Sequence, residues 1–276
     1  MAILIKDLDN DGLYDGYEEK SYFQEKGVIG EKQVRDELLS TLSDSYNILN
    51  GIYTCTEEGD FTEIDHIVLH PKFILCIETK YYSGELEVID HSTWGKRNKE
   101  GEYTKIDSPQ QQAIHHAYSL KGYLERVGIQ VNIYSVVVLV NHKTSSFNRD
   151  TDNCYQSECP VVFKKDLTHL IEIIERQCEG LKPVLHSLKE AAGHIIAEHE
   201  GIKSSQLFWY KKLAMLENDR EAQYQLGKML LKGYYQEGER LVKIKQNERA
   251  AIFWLNKASR QGHKLARQSI KQYYRN

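Results

Sequence analysis

Two acidic residues on neighbouring predicted strands give the strongest chemical signal in the sequence. Residues 63–69 and 73–80 are rich in apolar side chains, and Pro71 between them suits a turn better than a central strand. A tight turn there would pair Asp65 with Glu78 and place their Cβ atoms roughly 4.5–5.5 Å apart. Two carboxylates at that separation repel each other, so a cation bound between them is the natural resolution.

Lys80 and Glu31 extend this pair into a group suited to hydrolysing a phosphodiester bond. Lys80 lies two residues after Glu78 and therefore points to the same side of the strand. Magnesium or manganese held by Asp65 and Glu78 would polarise the phosphodiester and lower the pKa of an attacking water. Lys80 would orient or deprotonate that water and stabilise the developing negative charge. Glu31, on the inward face of a predicted helix, is a further candidate metal ligand.

Structural interpretations of the same charges compete with catalysis. Asp65, Glu78 and Lys80 can form a salt-bridge cluster, and Glu31 can be a first-turn acid that stabilises its helix dipole. We favour the metal site because desolvation makes ion clusters on an apolar hairpin costly.

The N-terminal segment contains a second candidate metal site. Its acidic residues follow the spacing of a calcium-binding loop, with Gly12 at the sharp turn. The candidate calcium ligands are Asp7, Asp9, Asp11, Asp15 and Glu18. Only six residues precede the loop, too few for a full entering helix, so an acidic turn that caps the following segment is the alternative.

The elements predicted around the hairpin indicate an α/β fold. Helices are predicted at residues 30–42, from residue 109 onward and at 167–174, and further strands at 48–55, 131–140 and 160–163. Ser108 is the predicted N-cap of the second helix, with Pro109 at its first position. This order of elements predicts a mixed sheet flanked by helices.

The C-terminal quarter is predicted to be a small all-α module with an internal repeat. Residues 208–212 match 253–257 at an offset of 45, and Ala222 matches Ala266 at an offset of 44. Two helix pairs of this kind can stack on each other.

A connecting helix is predicted at residues 183–199, with Pro183 at its first position and a boundary at 201–205. Trp209 and Trp254 are expected in the core of the repeats.

Several motifs around the hairpin match those of a known family. They are Gly30-Glu31 with Val34, Glu63-Ile64-Asp65-His66-Ile67-Val68, Ile77-Glu78-Thr79-Lys80 with Gly84, and Pro109 with Gln112. This pattern, over about residues 30–163, resembles the nuclease-related domain (NERD) family, a branch of the PD-(D/E)xK nuclease superfamily. The resemblance implies a restriction-endonuclease-like core and metal-dependent cleavage of DNA. Ser108 and Thr79 depart from the family pattern without removing a charged group.

The resemblance also implies a role for each matching residue. Asp65 and Glu78 would bind the metal ion, Lys80 would act in catalysis, and Glu31 and Gln112 would support them. Gln112 alternatively completes hydrogen bonding within its helix. His115 and His116 are predicted to be surface or half-buried residues and not metal ligands.

The C-terminal repeat has a family resemblance of its own. The residues that carry it are Ala222, Leu226, Gly227 and Gly233, then Ala250, Trp254, Lys257, Ala258, Gly262, His263 and Ala266. They resemble the tetratricopeptide-like repeats of the Sel-one-like class, which implies a protein partner bound on a concave face. The long gap between Gly233 and Ala250 predicts an irregular loop.

Composition is that of a globular protein. Hydrophobic residues make up 41% and charged residues 28% of the 276 residues. The longest apolar run, at 136–140, is far short of the roughly 20 residues of a membrane helix. The start of the chain lacks a signal-peptide pattern, and the five cysteines lack paired spacing. A cytoplasmic protein with reduced thiols and no membrane association is therefore expected.

Charge is divided unevenly along the chain. Residues 201–276 contain 16 Lys and Arg against 6 Asp and Glu, whereas residues 1–200 contain 20 against 34. A basic module could supply phosphate affinity while an acidic one supplies metal ligands. The alternative is two solvated surfaces that attract each other.

These patterns predict four segments: an acidic N-terminal segment at 1–29, a nuclease-like domain at 30–182, a connecting helix and linker at 183–204, and helical repeats at 205–276. The favoured hypothesis is a metal-dependent nuclease acting on DNA. The alternatives are a nucleic-acid-binding or regulatory protein with an inactive site, and a scaffold whose repeats bind a protein partner.

Overall fold

The chain forms two compact units. A computed structural model describes residues 1–7, 22–82, 84–89, 92–98, 100–141, 158–185 and 187–275. The first unit comprises Met1–Thr54 and Thr62–Ile196, and the second comprises Cys55–Phe61 and Ala197–Asn276. Within the described ranges, no helix combines the length and the apolar character that crossing a bilayer requires.

The first unit begins with strands and helices in the following order. They are β1 (Ile3–Lys6), α1 (Tyr22–Thr41), β2 (Asn47–Cys55), β3 (Phe61–His70), β4 (Phe73–Lys80), β5 (Glu85–Val88), β6 (Thr93–Arg97), β7 (Tyr103–Asp107), α2 (Pro109–Arg126), β8 (Asn132–Leu139), β9 (Val161–Phe163), α3 (Leu167–Gln177) and α4 (Leu188–Lys203). A single 3-10 turn, Lys164–Asp166, joins β9 to α3.

The central sheet has six strands in the order β1-β2-β3-β4-β8-β9. Strands β3 and β4 are antiparallel, whereas β4, β8 and β9 run parallel to one another. The predicted mixed sheet flanked by helices is therefore confirmed. The predicted register is also confirmed: His66 pairs with Ile77 and His70 with Phe73, so Asp65 lies level with Glu78.

Helices cover both faces of this sheet, as the side-chain alternation of β4 requires. Phe73, Leu75 and Ile77 pack with residues of α1 and α3, whereas Ile74 and Cys76 pack with residues of α2 and α4. Burying each such side chain stabilises the fold by about 1.5–3 kcal/mol relative to exposure. Glu78 continues the second series and therefore points towards the α2 face.

A second sheet of three strands, β5-β6-β7, lies between β4 and α2 in sequence and was not predicted. It is an antiparallel meander whose Leu86 and Trp94 are buried. Both side chains pack with Ala113 of α2 and Val137 of β8. The meander therefore belongs to the α2 side of the central sheet.

The second unit is mainly helical. Its elements after α4 are α5 (Gln206–Leu216), α6 (Arg220–Lys232), β10 (Tyr234–Glu237), β11 (Arg240–Lys243), α7 (Glu248–Arg260) and α8 (Lys264–Tyr273). The prediction of an irregular loop after Gly233 is wrong, because β10 and β11 form an antiparallel hairpin there. Gly233 ends α6 with a positive φ of 73°, a conformation that glycine adopts without strain.

Trp209 was expected in the core but is 47% exposed, and its neighbour Phe208 is buried instead. Trp254 is partly buried against the core of this unit, which also contains Leu207, Ala214 and Leu226.

Two predicted helix starts also need correction, and the third, that of α2, is confirmed without its expected side-chain cap. Helix α1 begins at Tyr22 and not at residue 30. Helix α4 begins at Leu188, because the backbone N–H groups of Val184 and Leu185 both donate to the carbonyl of Pro71 and leave no helix there. Ser108 occupies the N-cap of α2, but its buried hydroxyl forms no capping hydrogen bond.

Candidate active site

The five residues expected to act in catalysis line one cavity in the first unit. The cavity has a volume of about 400 Å³ and is bounded by α1, β3, β4, β6 and α2. Its titratable acids and bases are Glu31, Glu63, Asp65, Glu78, Lys26, Lys80 and Lys96, and Gln112 lies beside them. The fold therefore brings together residues that are up to 86 positions apart in the chain.

Glu78 lies at the floor of this cavity. Its side chain is 2% exposed, and its Oε1 accepts a hydrogen bond from Nζ of Lys80. Its Oε2 lies 3.2 Å from Nδ1 of His116, yet neither atom forms a hydrogen bond. A buried carboxylate oxygen without a donor is energetically costly and is a suitable ligand for a cation.

Lys80 links β4 to α2. Besides Glu78, its Nζ donates to Oε1 of Gln112 at 3.1 Å. Burial lowers the pKa of Lys80, but the carboxylates of Glu78 and Asp65 outweigh that effect, so its pKa is raised overall. Lys80 therefore stays protonated at neutral pH. Gln112 faces the cavity and accepts this hydrogen bond from the Lys80 ammonium. Its side chain therefore does more than complete the hydrogen bonding of its own helix.

Asp65 is fixed by the backbone of the neighbouring strand. Its Oδ2 accepts a hydrogen bond of 2.6 Å from the N–H of Thr79. Burial raises the pKa of Asp65 well above its ordinary value, and the charges of Glu78 and Glu31 raise it further. The side chain is therefore held in position, while burial and the neighbouring acids oppose its ionisation.

Glu31 reaches the cavity from α1. The helix comes close to β4 at Gly30, where an added Cβ would already lie 3.4 Å from Cγ2 of Thr79. Burial raises the pKa of Glu31 to about 7, with further contributions from the charges of Glu63 and Glu78. A carboxyl with this pKa can exchange a proton at physiological pH.

Glu31→Gln should raise the free energy of unfolding at pH 8 by about 1–3 kcal/mol, with a much smaller gain at pH 5. The folded protein keeps the Glu31 proton up to about pH 7, whereas the unfolded chain releases it near the ordinary pKa of 4.5. Stability linked to this proton is present below pH 4.5 and is lost as the pH rises through 7. Urea denaturation at the two pH values measures the difference.

Glu125→Gln, a change at an exposed position of α2, is the matched control and should have little effect at either pH. A stabilisation by Glu31→Gln that is the same at pH 5 and pH 8 would contradict the raised pKa.

The carboxylates fit a magnesium-type ion better than a closed metal cage. Across the part of the chain that the structure describes, no three His, Cys, Asp or Glu side chains form a preassembled metal site. Magnesium uses only one or two carboxylates, retains several waters and binds a phosphate oxygen. Asp65 and Glu78 at an open cavity provide such a donor set, and a cation bound there would favour the ionised form of Asp65, which burial and the neighbouring acids oppose.

A purely structural salt-bridge cluster accounts for these charges less well. Lys80 pairs with Glu78, but the pKa values of Glu31 and Asp65 remain raised despite that cation. A structural ion cluster normally holds its acids below their ordinary pKa values. The arrangement is therefore typical of a functional site.

The sequence interpretation missed three kinds of residue in this region. Glu63 precedes Asp65 by two positions, a spacing that could have indicated a shared face. His116 was expected at the surface or half-buried, which is wrong: it is buried, one helical turn after Gln112. His115 is exposed, as expected. Lys96 comes from the unpredicted meander, so no local pattern placed it here.

Most of the candidate calcium loop lies outside the described residues, which include Asp7 but not Asp9, Asp11, Asp15 or Glu18. The Asp7 carboxylate accepts a hydrogen bond of 3.0 Å from Nη1 of Arg35. The same Nη1 also donates to the other carboxylate oxygen at 3.3 Å, so a guanidinium occupies both oxygens of the first expected ligand.

The segment of the chain that forms the cavity matches a known family model. Residues 26–140 match the family model described as nuclease-related domain. An uncharacterized protein of Bacillus anthracis is 28% identical over 147 residues, which cover 53% of this chain and 66% of that protein. The chain thus spans just under two thirds of that relative. A crystal structure of a Vibrio cholerae protein matches 56% of this chain and 34% of its own, with 10% identity and a TM-score of 0.28.

Proposed function

We propose that the cavity within residues 26–140, the segment matched by the nuclease-related domain, is the active site of a divalent-metal-dependent nuclease that hydrolyses phosphodiester bonds in DNA. One observation carries the proposal: Glu31, Asp65, Glu78, Lys80 and Gln112 converge on one cavity although they come from three separate segments.

Asp65 and Glu78 would hold magnesium or manganese. Such an ion, when bound, polarises a scissile phosphodiester and lowers the pKa of a nearby water. The hydrogen bond from Thr79 fixes the orientation of Asp65, and burial against His116 restricts Glu78. Both carboxylates are therefore positioned before any ligand arrives, which avoids an ordering cost at the moment of reaction.

Lys80 and Glu31 would have different roles in the hydrolysis. Lys80 is protonated at neutral pH, so it would stabilise negative charge on the phosphate and not remove a proton. Glu31, with a pKa of about 7, is the better candidate to accept the proton of the attacking water. Gln112 would keep the Lys80 ammonium aimed at the cavity.

The C-terminal helices would form a two-unit repeat of the Sel-one-like kind. Equivalent caps support this proposal: the side chain of Asp219 accepts from the N–H of Ala222, and that of His263 accepts from the N–H of Ala266. Both alanines are buried at the start of the second helix of a pair. A protein partner bound by these helices is part of the same proposal.

The test is cleavage of labelled DNA by the full chain with magnesium, manganese or EDTA. We expect cutting with either ion and none with EDTA, and no cutting by the Lys80→Ala chain purified in parallel. RNA of the same sequence serves as the comparison substrate. Cutting that persists in EDTA, or that the Lys80→Ala chain performs equally well, would refute the proposal.

A further inference from the structure

The last two helices of the chain concentrate positive charge. Residues 248–275, here called the α7–α8 hairpin, contain seven Lys and Arg and a single acidic residue, Glu248. The acid is already engaged, because its Oε2 accepts a hydrogen bond of 2.6 Å from the hydroxyl of Tyr273. The hairpin therefore presents almost uncompensated positive charge.

On α7 the cations form one stripe. Arg249, Lys257 and Arg260 recur at helical spacing, with Phe253 between the first two. The opposite side of α7 carries Ala251, Leu255 and Ala258, all buried in the unit. Because the two sets point in different directions, the cationic stripe faces solvent.

On α8 the pattern is repeated. Lys264, Arg267 and Lys271 on the helix and Arg275 in the turn after it follow one another at steps of three or four residues and are all exposed. Ala266 on the other side of this helix is buried. Two adjacent helices, which pack against each other, thus each carry an outward row of cations.

These cations have no acidic partners, unlike others in the same unit. Lys211 is paired with Asp60 and Lys245 with Glu58. In the described part of the chain, no Asp or Glu forms an ion pair with any of the seven cations of the α7–α8 hairpin. Seven unpaired cations on two helices repel one another, so a polyanion bound across them would be stabilised.

Exposed aromatic rings lie among the charges. Phe253 is 56% exposed between Arg249 and Lys257, and Tyr274 is 70% exposed beside Arg275. Proteins that hold single-stranded nucleic acid combine a positive track for the phosphates with rings on which bases stack. A membrane surface or an acidic protein would account for the charge but gives no role to flat rings flanked by cations.

We propose that the α7–α8 hairpin is a binding surface for single-stranded nucleic acid, with phosphates on the two rows of cations and a base stacked on Phe253. This surface goes beyond the proposed nuclease activity, because binding to it requires neither a metal ion nor the residues of the cavity.

Fluorescence anisotropy with a labelled oligothymidylate in EDTA tests the proposal on the full chain. Changing Arg249, Arg260 and Arg267 together to Gln should weaken binding at least tenfold at 0.1 M salt. It should also reduce the slope of log K against log salt concentration by about 2, as expected for three lost phosphate contacts. Phe253→Ala should weaken binding to the single strand by at least fivefold and to a duplex by less than twofold.

The matched control removes three exposed cations from the first unit, as Arg176→Gln, Lys182→Gln and Lys189→Gln. It should leave binding within twofold. An equal loss in the control triple, a tighter complex with duplex, or competition by polyglutamate or anionic vesicles as effective as that by DNA would overturn the proposal. If the chain binds the single strand as expected but does not cleave DNA, only the proposed nuclease activity is refuted. If it cleaves DNA but the hairpin variants bind normally, only the proposed binding surface is refuted.

Discussion

Replacing Lys80 with alanine should reduce the rate of DNA cleavage by about 10³-fold and leave the dissociation constant for DNA within about twofold. The ammonium lies inside the cavity, hydrogen bonded to Glu78 and Gln112, where low solvent access strengthens its effect on a developing negative charge. Single-turnover cleavage and filter binding on the same preparation separate the two effects.

Lys96→Ala is the matched control, since Lys96 lines the same cavity but lies over the ring of Tyr82. We expect it to change the cleavage rate by less than about tenfold, because one peripheral charge contributes about 1 kcal/mol or less. If the two variants lose activity equally, the Lys80 ammonium has no special role. If neither variant loses activity, the cavity is not the catalytic site.

Asp65→Asn and Glu78→Gln should each abolish manganese binding and cleavage, and Asp65→Asn should at the same time raise thermal stability at pH 8. Both changes keep the size of the side chain and remove one of the mutually repelling charges. Burial raises the pKa of Asp65, so stability is lost as the pH rises above the ordinary pKa of this carboxyl, and the neutral amide avoids this cost. Asn can still accept the hydrogen bond from Thr79.

Isothermal titration with manganese measures the loss of binding, which we expect to exceed about 100-fold. A thermal scan of the metal-free protein at pH 8 measures the gain in stability. Glu125→Gln, at its exposed position on α2, should alter neither quantity. Normal manganese binding by either variant, or a lower melting temperature of Asp65→Asn than of the wild type, would contradict a cation site built on these two carboxylates.

The hairpin at the centre of the site was predictable because its geometry is local. Side chains alternate with a period of two along a strand, so Pro71 together with the apolar pattern determines that Asp65 meets Glu78. Lys80 follows from the same rule. The helices of both units were predictable for a similar reason, since their apolar stripes repeat over several turns.

Other parts of the site depend on contacts that no short pattern contains. The meander strands β5, β6 and β7 have only four or five residues each, and their burial rests on Leu86 and Trp94 packing with a distant helix and strand. His116 is buried because it packs next to Glu78, 38 positions away. The raised pKa of Glu31 likewise arises only once the tertiary structure has buried this side chain and brought Glu63 and Glu78 near it.

Residues 55–61 connect β2 to β3, yet they pack with the helices of the second unit. Phe61 lies 5.5 Å from the ring of Phe208, and Asp60 pairs with Lys211. During synthesis this turn leaves the ribosome roughly 150 residues before the helices that hold it. The strand that carries Asp65 therefore starts from a turn whose native partners are synthesised much later, so a chain that stops near Ile196 lacks them.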